Sequence, residues 1–185
     1  MKLCELLAGL DILETNADLE ADIREVQYDS RLVEAGDLFI AVTGAATDGH
    51  KYIPMACEKG AACVLCERAP EGGVPFVRVT DTRRALAVVG GNRFDHPARE
   101  LTMIGVTGTS GKTTSTYLIK SILEQKAGAK VGLIGTIQNM IGDRVLHTER
   151  TTPESFELQK LLREMSDAGC THVVMEVSSH ALILD

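Results

Sequence analysis

The chain predicts an α/β protein of two successive units: a small N-terminal α/β domain, then a second unit that begins like a P-loop-type parallel-sheet ATPase domain and is incomplete. Three observations carry this. Short runs of β-branched and apolar residues alternate with segments of helical period along the 185 residues. A polar, proline-containing stretch at residues 95–100, "DHPARE", breaks the pattern near the middle. Directly after it an apolar run passes through a glycine-rich loop into helix-forming sequence, "MIGVTGTSGKTTSTY" at residues 103–117.

In chain order, "LCELLAGL" predicts a helix, and "VQYDS", "DLFIAV", "AACVLC" and "PFVRV" predict strands bounded by Gly, Asp or Pro. Between them "YIPMACEKG" predicts a short helix ending at Gly60, and "TRRALAVVGGNRF" another that loses its pattern around Gly90 and Gly91. No internal repeat is visible. The predicted boundary divides the chain into residues 1–97 and 98–185. The second part continues with the strand "LTMIGVT", the glycine loop, and a helix over 113–126 with Leu118, Ile119, Ile122 and Leu123 on one face. Gly128 closes that helix and "KVGLIG" follows as a strand. After a turn at Gly142 and Asp143, "TTPESFELQKLLREMSDAG" predicts a capped helix, with Thr152 as the cap and Pro153 at the first helical position. "THVVMEVSSHALILD" predicts the last strand, its apolar part "HVVMEV" carrying Glu176 near the end. Strands separated by helices imply parallel crossovers.

Composition narrows the function. Hydrophobic residues make up 44% and charged residues 24%, with no run long enough to span a bilayer. Glu5 and Asp11 interrupt any signal-like apolar core near the N-terminus, so a cytoplasmic location without membrane insertion is expected. A net charge of -7 argues against a duplex nucleic-acid binder, which needs a basic face. Five cysteines without framework spacing suit reduced thiols. Cys63 and Cys66 lie three apart in a predicted strand, where side chains point to opposite faces; they read as buried structural thiols, not a metal pair.

The glycine loop has the chemistry of a phosphate cradle. A loop entering a helix N-terminus exposes amides without intrahelical partners at the positive end of the helix dipole. Gly108 and Gly111 let the backbone approach a phosphate closely. Lys112 would place a point charge on the terminal phosphates, and the Thr113 hydroxyl would ligate Mg²⁺. The pattern is a variant of G-x-x-x-x-G-K-[ST], because Val106 stands where the first glycine belongs. ATP and GTP both remain open as the ligand on the loop alone.

"GVTGTSGKTT" resembles the nucleotide loop of the Mur ligases, the ATP-dependent enzymes that add amino acids to the UDP-MurNAc peptide of bacterial cell-wall precursors. "YDSRLVEAGDLFIAVTGAATDGHKYIPMACEKGAACVL" is similar to the UDP-binding N-terminal domain of two members, and "TTPES" and "MEVSSHAL" resemble the branch that adds the third residue. The resemblance covers nearly the whole chain, but the family is considerably longer. It marks this chain as an N-terminal fragment, expected to be inactive alone, without the carbamylated lysine and the amino-acid-binding third domain.

The resemblance implies an amide ligase that joins a third amino acid, lysine or diaminopimelate, to UDP-MurNAc-L-Ala-D-Glu through an acyl phosphate, with ATP and Mg²⁺. It implies ATP contacts at Gly108, Thr109, Ser110, Gly111, Lys112, Thr113 and Thr114, with Lys112 catalytic. Substrate contacts would be Tyr28, Ser30, Ala45, Ala46, Thr47, Thr151, Thr152 and Ser178. Metal ligands would be Thr113, Glu176 and His180. On local sequence alone, Glu176 could be an exposed strand end, His180 a plain loop histidine, and Asp29, Ser30 and Arg31 a turn with a local ion pair. His50 is expected to be structural. The alternatives are a non-catalytic UDP-sugar or nucleotide-binding module, or another Mur-type ligase such as MurF.

Overall fold

Apolar strands of the first half collect into one sheet and those of the second half into another. The computed structural model describes residues 1–44, 47–148 and 151–178, leaving out the side chains of 126 and 127. It separates into two units, Met1–Arg93 and Phe94–Asp185.

In the first unit β2 (Val26–Gln27), β3 (Leu38–Ile40), β4 (Cys63–Cys66) and β5 (Phe76–Arg78) are parallel neighbours, and β1 (Glu14–Thr15) pairs antiparallel with β5 at the edge. Every residue of β3 and β4 is buried, as expected for central parallel strands covered on both faces. β1 has no apolar alternation to announce it, since both of its residues are exposed. Its neighbourhood is fixed instead by the Thr15 hydroxyl donating to the Phe76 carbonyl at 2.7 Å and by Asn16 bonding to Val74 and Phe76.

Three helices accompany the sheet: α1 (Leu3–Leu6), α2 (Ile53–Glu58) and α3 (Thr82–Arg93). α3 does not stop at Gly90 and Gly91, which are buried within it. The helical pattern fades there because the glycines have no side chain to signal a face. Beyond them, Asn92 Nδ2 donates to the carbonyls of Leu6 and Ala8, both at 2.8 Å, closing the end of α1. Phe39, Val64, Cys66, Phe76, Ile53 and Ala56 pack into one core. Cys63 is buried outside that cluster. Burial pushes the Cys63 thiol up to about 12 and the Cys66 thiol up to about 11, so both stay protonated.

In the second unit β6 (Thr102–Val106), β7 (Val131–Ile134) and β10 (His172–Glu176) are parallel, and β10 inserts between the other two. β8 (Asn139–Ile141) extends the sheet antiparallel to β7, and β9 (Arg144–Leu146) pairs antiparallel with β8 at the edge. The sheet is therefore mixed where parallel crossovers were expected, because residues 135–138 are too few for a crossover. The expected turn at Gly142 joins β8 to β9 at a φ of +58°, a conformation that favours glycine.

α4 (Lys112–Ala127) departs from its predicted face. Thr116 and Lys120 are the buried positions, while Leu118 and Ile122 are each 59% exposed. The arc turned inward is instead the one that carries Thr116 and Lys120. α5 (Ser155–Asp167) forms where a helix was expected and buries Phe156, Leu162 and Met165, but it starts two residues after Pro153, the expected first helical position. It lies so close to β7 that a Cβ on Gly132 would stand 2.5 Å from Met165 Sδ. α5 begins at Ser155 after Glu154 with no side-chain cap, so Thr152 does not cap it. The Thr152 hydroxyl is engaged elsewhere.

Candidate functional site

The carboxyl ends of β6, β10 and β7 lie side by side, the end of a parallel sheet where ligands gather. After β6 the chain runs through exposed residues 107–111 into α4. Gly108 has a φ of +149° and Gly111, at the helix cap, one of +77°; both fall in the region that favours glycine. The Lys112 ammonium curls back to donate to the Gly108 carbonyl at 2.8 Å, over the same loop whose amides lead into the helix. Thr109, Ser110 and Thr114 are exposed around it.

Glu176 ends β10 and is 1% exposed, so it is not an exposed strand end. Its Oε2 accepts from the Thr113 hydroxyl at 3.1 Å and from the Thr136 hydroxyl at 3.1 Å, and its Oε1 accepts from the Thr136 amide at 3.0 Å. The acid thus receives donors from the segment after each neighbouring strand. Gly135 makes this possible, since a Cβ there would stand 2.6 Å from Glu176 Oε1. The Gly135 amide in turn donates to Asn139 Oδ1 at 3.2 Å, which fixes the short connection after β7.

Thr151 and Thr152 stand against the same strand end. The Thr152 hydroxyl donates to the Glu176 carbonyl at 3.1 Å and accepts from the Ser178 amide at 3.3 Å. Thr151 Oγ1 lies 3.1 Å from Thr136 Oγ1. Five of the sequence-predicted site residues, Thr113, Thr151, Thr152, Glu176 and Ser178, are therefore brought together here, with Lys112 next to Thr113 as the first residue of α4. Gly135, Thr136 and Asn139 were not singled out from sequence. The available signal was a glycine and a threonine directly after an apolar strand.

A threonine hydroxyl and a carboxylate are hard oxygen donors. Mg²⁺ is commonly held by one or two such groups together with phosphate oxygens and waters. Thr113 donates its proton to Glu176, which leaves the threonine lone pairs for a cation, and the Thr136 amide and hydroxyl hold the acid in place. The pair fits Mg²⁺ on that chemistry. Among the described residues there is no cluster of three or more His, Cys, Asp or Glu able to hold a metal. His180 lies outside the described residues, as do Ala45 and Ala46.

In the first unit Ser30 is buried, with its hydroxyl 3.5 Å from Met55 Sδ, and Tyr28 is half-buried just after β2. Arg31 forms a local fork on Asp29, at 2.6 Å to Oδ2, and this hydrogen-bonded guanidinium holds the Asp29 carboxyl below its usual range. Thr47 is exposed and its carbonyl accepts from the Gly44 amide at 3.0 Å. Glu67 anchors the start of that loop: its two oxygens accept from the hydroxyls of Thr43 and Thr82 at 3.0 and 2.8 Å. His50 is structural, as expected. Its Nδ1 pairs with Asp48 at 2.8 Å and its Nε2 accepts from the Glu67 amide at 2.9 Å, which fixes the tautomer with the proton on Nδ1.

Comparison with known proteins gives two family matches: "Mur ligase family, catalytic domain" over residues 22–94 and "Mur ligase middle domain" over residues 106–185. All of this chain aligns with 39% of the UDP-N-acetylmuramoyl-L-alanyl-D-glutamate--2,6-diaminopimelate ligase of Clostridium tetani, at 50% identity. Another ligase of that name, from Cytophaga hutchinsonii, is 40% identical over 99% of this chain and 38% of its own. A solved structure of a ligase with the same name matches all of this chain and 37% of that chain, with a TM-score of 0.79 and 26% identity. MurF ligase from Thermotoga maritima in complex with ADP matches 84% of this chain and 32% of its own, with a TM-score of 0.57 and 25% identity. The chain thus spans about two fifths of the length of the curated relatives it matches.

Proposed function

Because this chain belongs to the Mur ligase family, we propose that the full-length protein is an ATP-dependent ligase, the MurE-type enzyme, that joins 2,6-diaminopimelate to UDP-MurNAc-L-Ala-D-Glu. The observation that carries the reading is the buried Glu176 carboxylate hydrogen-bonded to Thr113 at the start of the helix that follows the glycine loop. The relatives' names support the choice of substrate and of diaminopimelate over lysine.

A carboxylate does not react with an amine at neutral pH, because its leaving group would be oxide. In the proposed reaction a substrate carboxylate oxygen attacks the γ-phosphorus of ATP, the bond to the bridging oxygen breaks, and ADP leaves. The amine then attacks the acyl carbon, the carbon–oxygen bond to phosphate breaks, and the amine gives up a proton. The protein's share is positioning and charge neutralisation. The amides of residues 108–114 and the Lys112 ammonium take the phosphates. When bound, Mg²⁺ offsets the repulsion between two anions, and Thr113 and Glu176 would hold it, with His180 as a third candidate. Thr151, Thr152 and Ser178 take the peptide end of the substrate. Tyr28, Ser30 and the 45–47 segment take its uridine diphosphate end.

Among the described residues no helix is long and apolar enough to cross a membrane. The nucleotide substrates of the proposed reaction suit the cytoplasm. The test is calorimetry and turnover with the full-length protein. Binding of MgATP and of UDP-MurNAc-L-Ala-D-Glu, with amide formation on diaminopimelate, is the expected result. Binding of the sugar nucleotide without MgATP would leave a non-catalytic module, and preference for the tripeptide precursor would point to a MurF-type ligase.

A further inference from the structure

Thr136 sits at an exposed position, yet its hydroxyl turns inward to lie 3.1 Å from Glu176 Oε2 and 3.1 Å from Thr151 Oγ1. One hydroxyl carries one proton and cannot donate to both. The Glu176 carboxyl group, whose oxygens also collect the Thr113 hydroxyl and the Thr136 amide, is the acceptor that takes it. The Thr151 proton therefore completes the other contact, giving a directed chain from Thr151 to Thr136 to Glu176, which also accepts from Thr113.

Two consequences follow from the direction. Thr151 has spent its proton inward, so it faces the substrate side as an acceptor and suits an N–H or O–H of the ligand. Any ligand that draws Thr151 outward weakens the hydroxyl contact that helps orient Glu176. The Thr136 amide, which holds Oε1 at 3.0 Å, belongs to the backbone and survives a change of side chain. The hydroxyl is thus the adjustable half of the grip.

We propose that Thr136 is a positioning residue, whose hydroxyl orients the Glu176 carboxylate toward Thr113 and couples the substrate-side Thr151 to the nucleotide side of the same site. This rests on the ligase reading of the site above. It concerns a residue that touches neither substrate nor nucleotide in that reading.

The experiment titrates a non-hydrolysable ATP analogue with Mg²⁺ into the full-length protein, with and without UDP-MurNAc-L-Ala-D-Glu, for wild type, Thr136→Val and Thr136→Ser. In the wild type the sugar-nucleotide peptide should change the affinity for the magnesium-analogue complex by a factor of about 5 or more. Thr136→Val should weaken magnesium-dependent binding about tenfold and bring the coupling factor close to one. Thr136→Ser, which keeps the hydroxyl, should retain both. Should Thr136→Val fail to fold, Thr136→Ala carries the same expectation. The proposal is overturned if the wild type binds both ligands and shows no coupling, if the valine variant keeps wild-type coupling, or if serine fails to rescue it. Absence of magnesium-analogue binding in the wild type would instead overturn the ligase reading itself.

Discussion

Thr113 and Glu176 are 63 positions apart in the chain, and their side chains meet at 3.1 Å, hydroxyl to carboxylate. The insertion of β10 between β6 and β7 brings them together, placing the last residue of β10 opposite Val106, where the glycine loop leaves the sheet. In the proposed function this buried acid, with its three donors beside the glycine loop, would hold a partly hydrated divalent cation next to a polyphosphate. Four outcomes test this arrangement and the fold around it.

Lys112→Ala in the full-length protein should remove the ammonium that lies against the Gly108 carbonyl and leave the fold intact, since this contact is exposed. Turnover should fall by about 10²–10³-fold or more, the scale of losing a donor that neutralises transition-state charge. Phosphate release and amide product, measured with saturating substrates, check it; near-native turnover would remove Lys112 from the proposed mechanism.

Gly135→Ala should be far more damaging than a surface glycine change. Its Cβ would lie 2.6 Å from Glu176 Oε1, so the buried carboxylate would have to shift and strain the hydrogen bonds it makes to Thr113 and Thr136. A destabilisation of about 1–3 kcal/mol is expected from overpacking, together with weakened binding of the magnesium-nucleotide complex. Thermal denaturation and calorimetry on the same variant separate the two effects. Unchanged values in both would mean that the acid is not held as described.

Thiol labelling should divide the cysteines by burial. Cys63 and Cys66, pushed up to about 12 and about 11, hold almost no thiolate at pH 8, and Cys170 is also buried and raised. Alkylation of the native protein, read by peptide mass spectrometry, should modify these three only after unfolding. Cys4 and Cys57, which are half-buried, should react first. Rapid native labelling of Cys63 would contradict the buried central strand.

The ion pair between Glu100 and Arg163 should give stability a dependence on acid pH. Arg163 forks onto both Glu100 oxygens at 3.0 and 2.7 Å, and this contact, with the Ser166 hydroxyl, holds the Glu100 carboxyl down at about 2, from an ordinary value of 4.5. A carboxyl whose folded value is depressed contributes stability above its unfolded value and loses it as pH falls through the folded one. The difference in urea midpoint between wild type and Glu100→Gln should therefore be full at pH 6 and fade between about 4.5 and about 2. A difference independent of pH over that range would assign the effect to packing.

Much of this protein was legible in its residues. The alternation of apolar runs and helical segments located most of the strands and helices, because burial on a strand and on a helix leaves different periods in the sequence. "GVTGTSGKTT" announced a glycine turn leading into a helix, since the φ values of +149° and +77° that Gly108 and Gly111 adopt favour glycine. Local sequence was silent where partners are distant. The edge strand at Glu14 and Thr15, the exposed side of α4 and the release of Thr152 from capping all depend on what lies across the fold. Thr136 and Gly135 belong to the same group: nothing near them in the chain distinguishes a loop threonine from one that grips a buried acid.

What the sequence determined by itself was the chemistry available and its order along the chain: a glycine loop ending in Lys112 and Thr113, a strand ending in Glu176, and a threonine pair before a helix. The tertiary structure alone decided which of these meet, because strand order is a property of the sheet and not of any segment. Placing β10 in the middle puts one carboxylate within hydrogen-bond reach of the segments that follow both neighbouring strands.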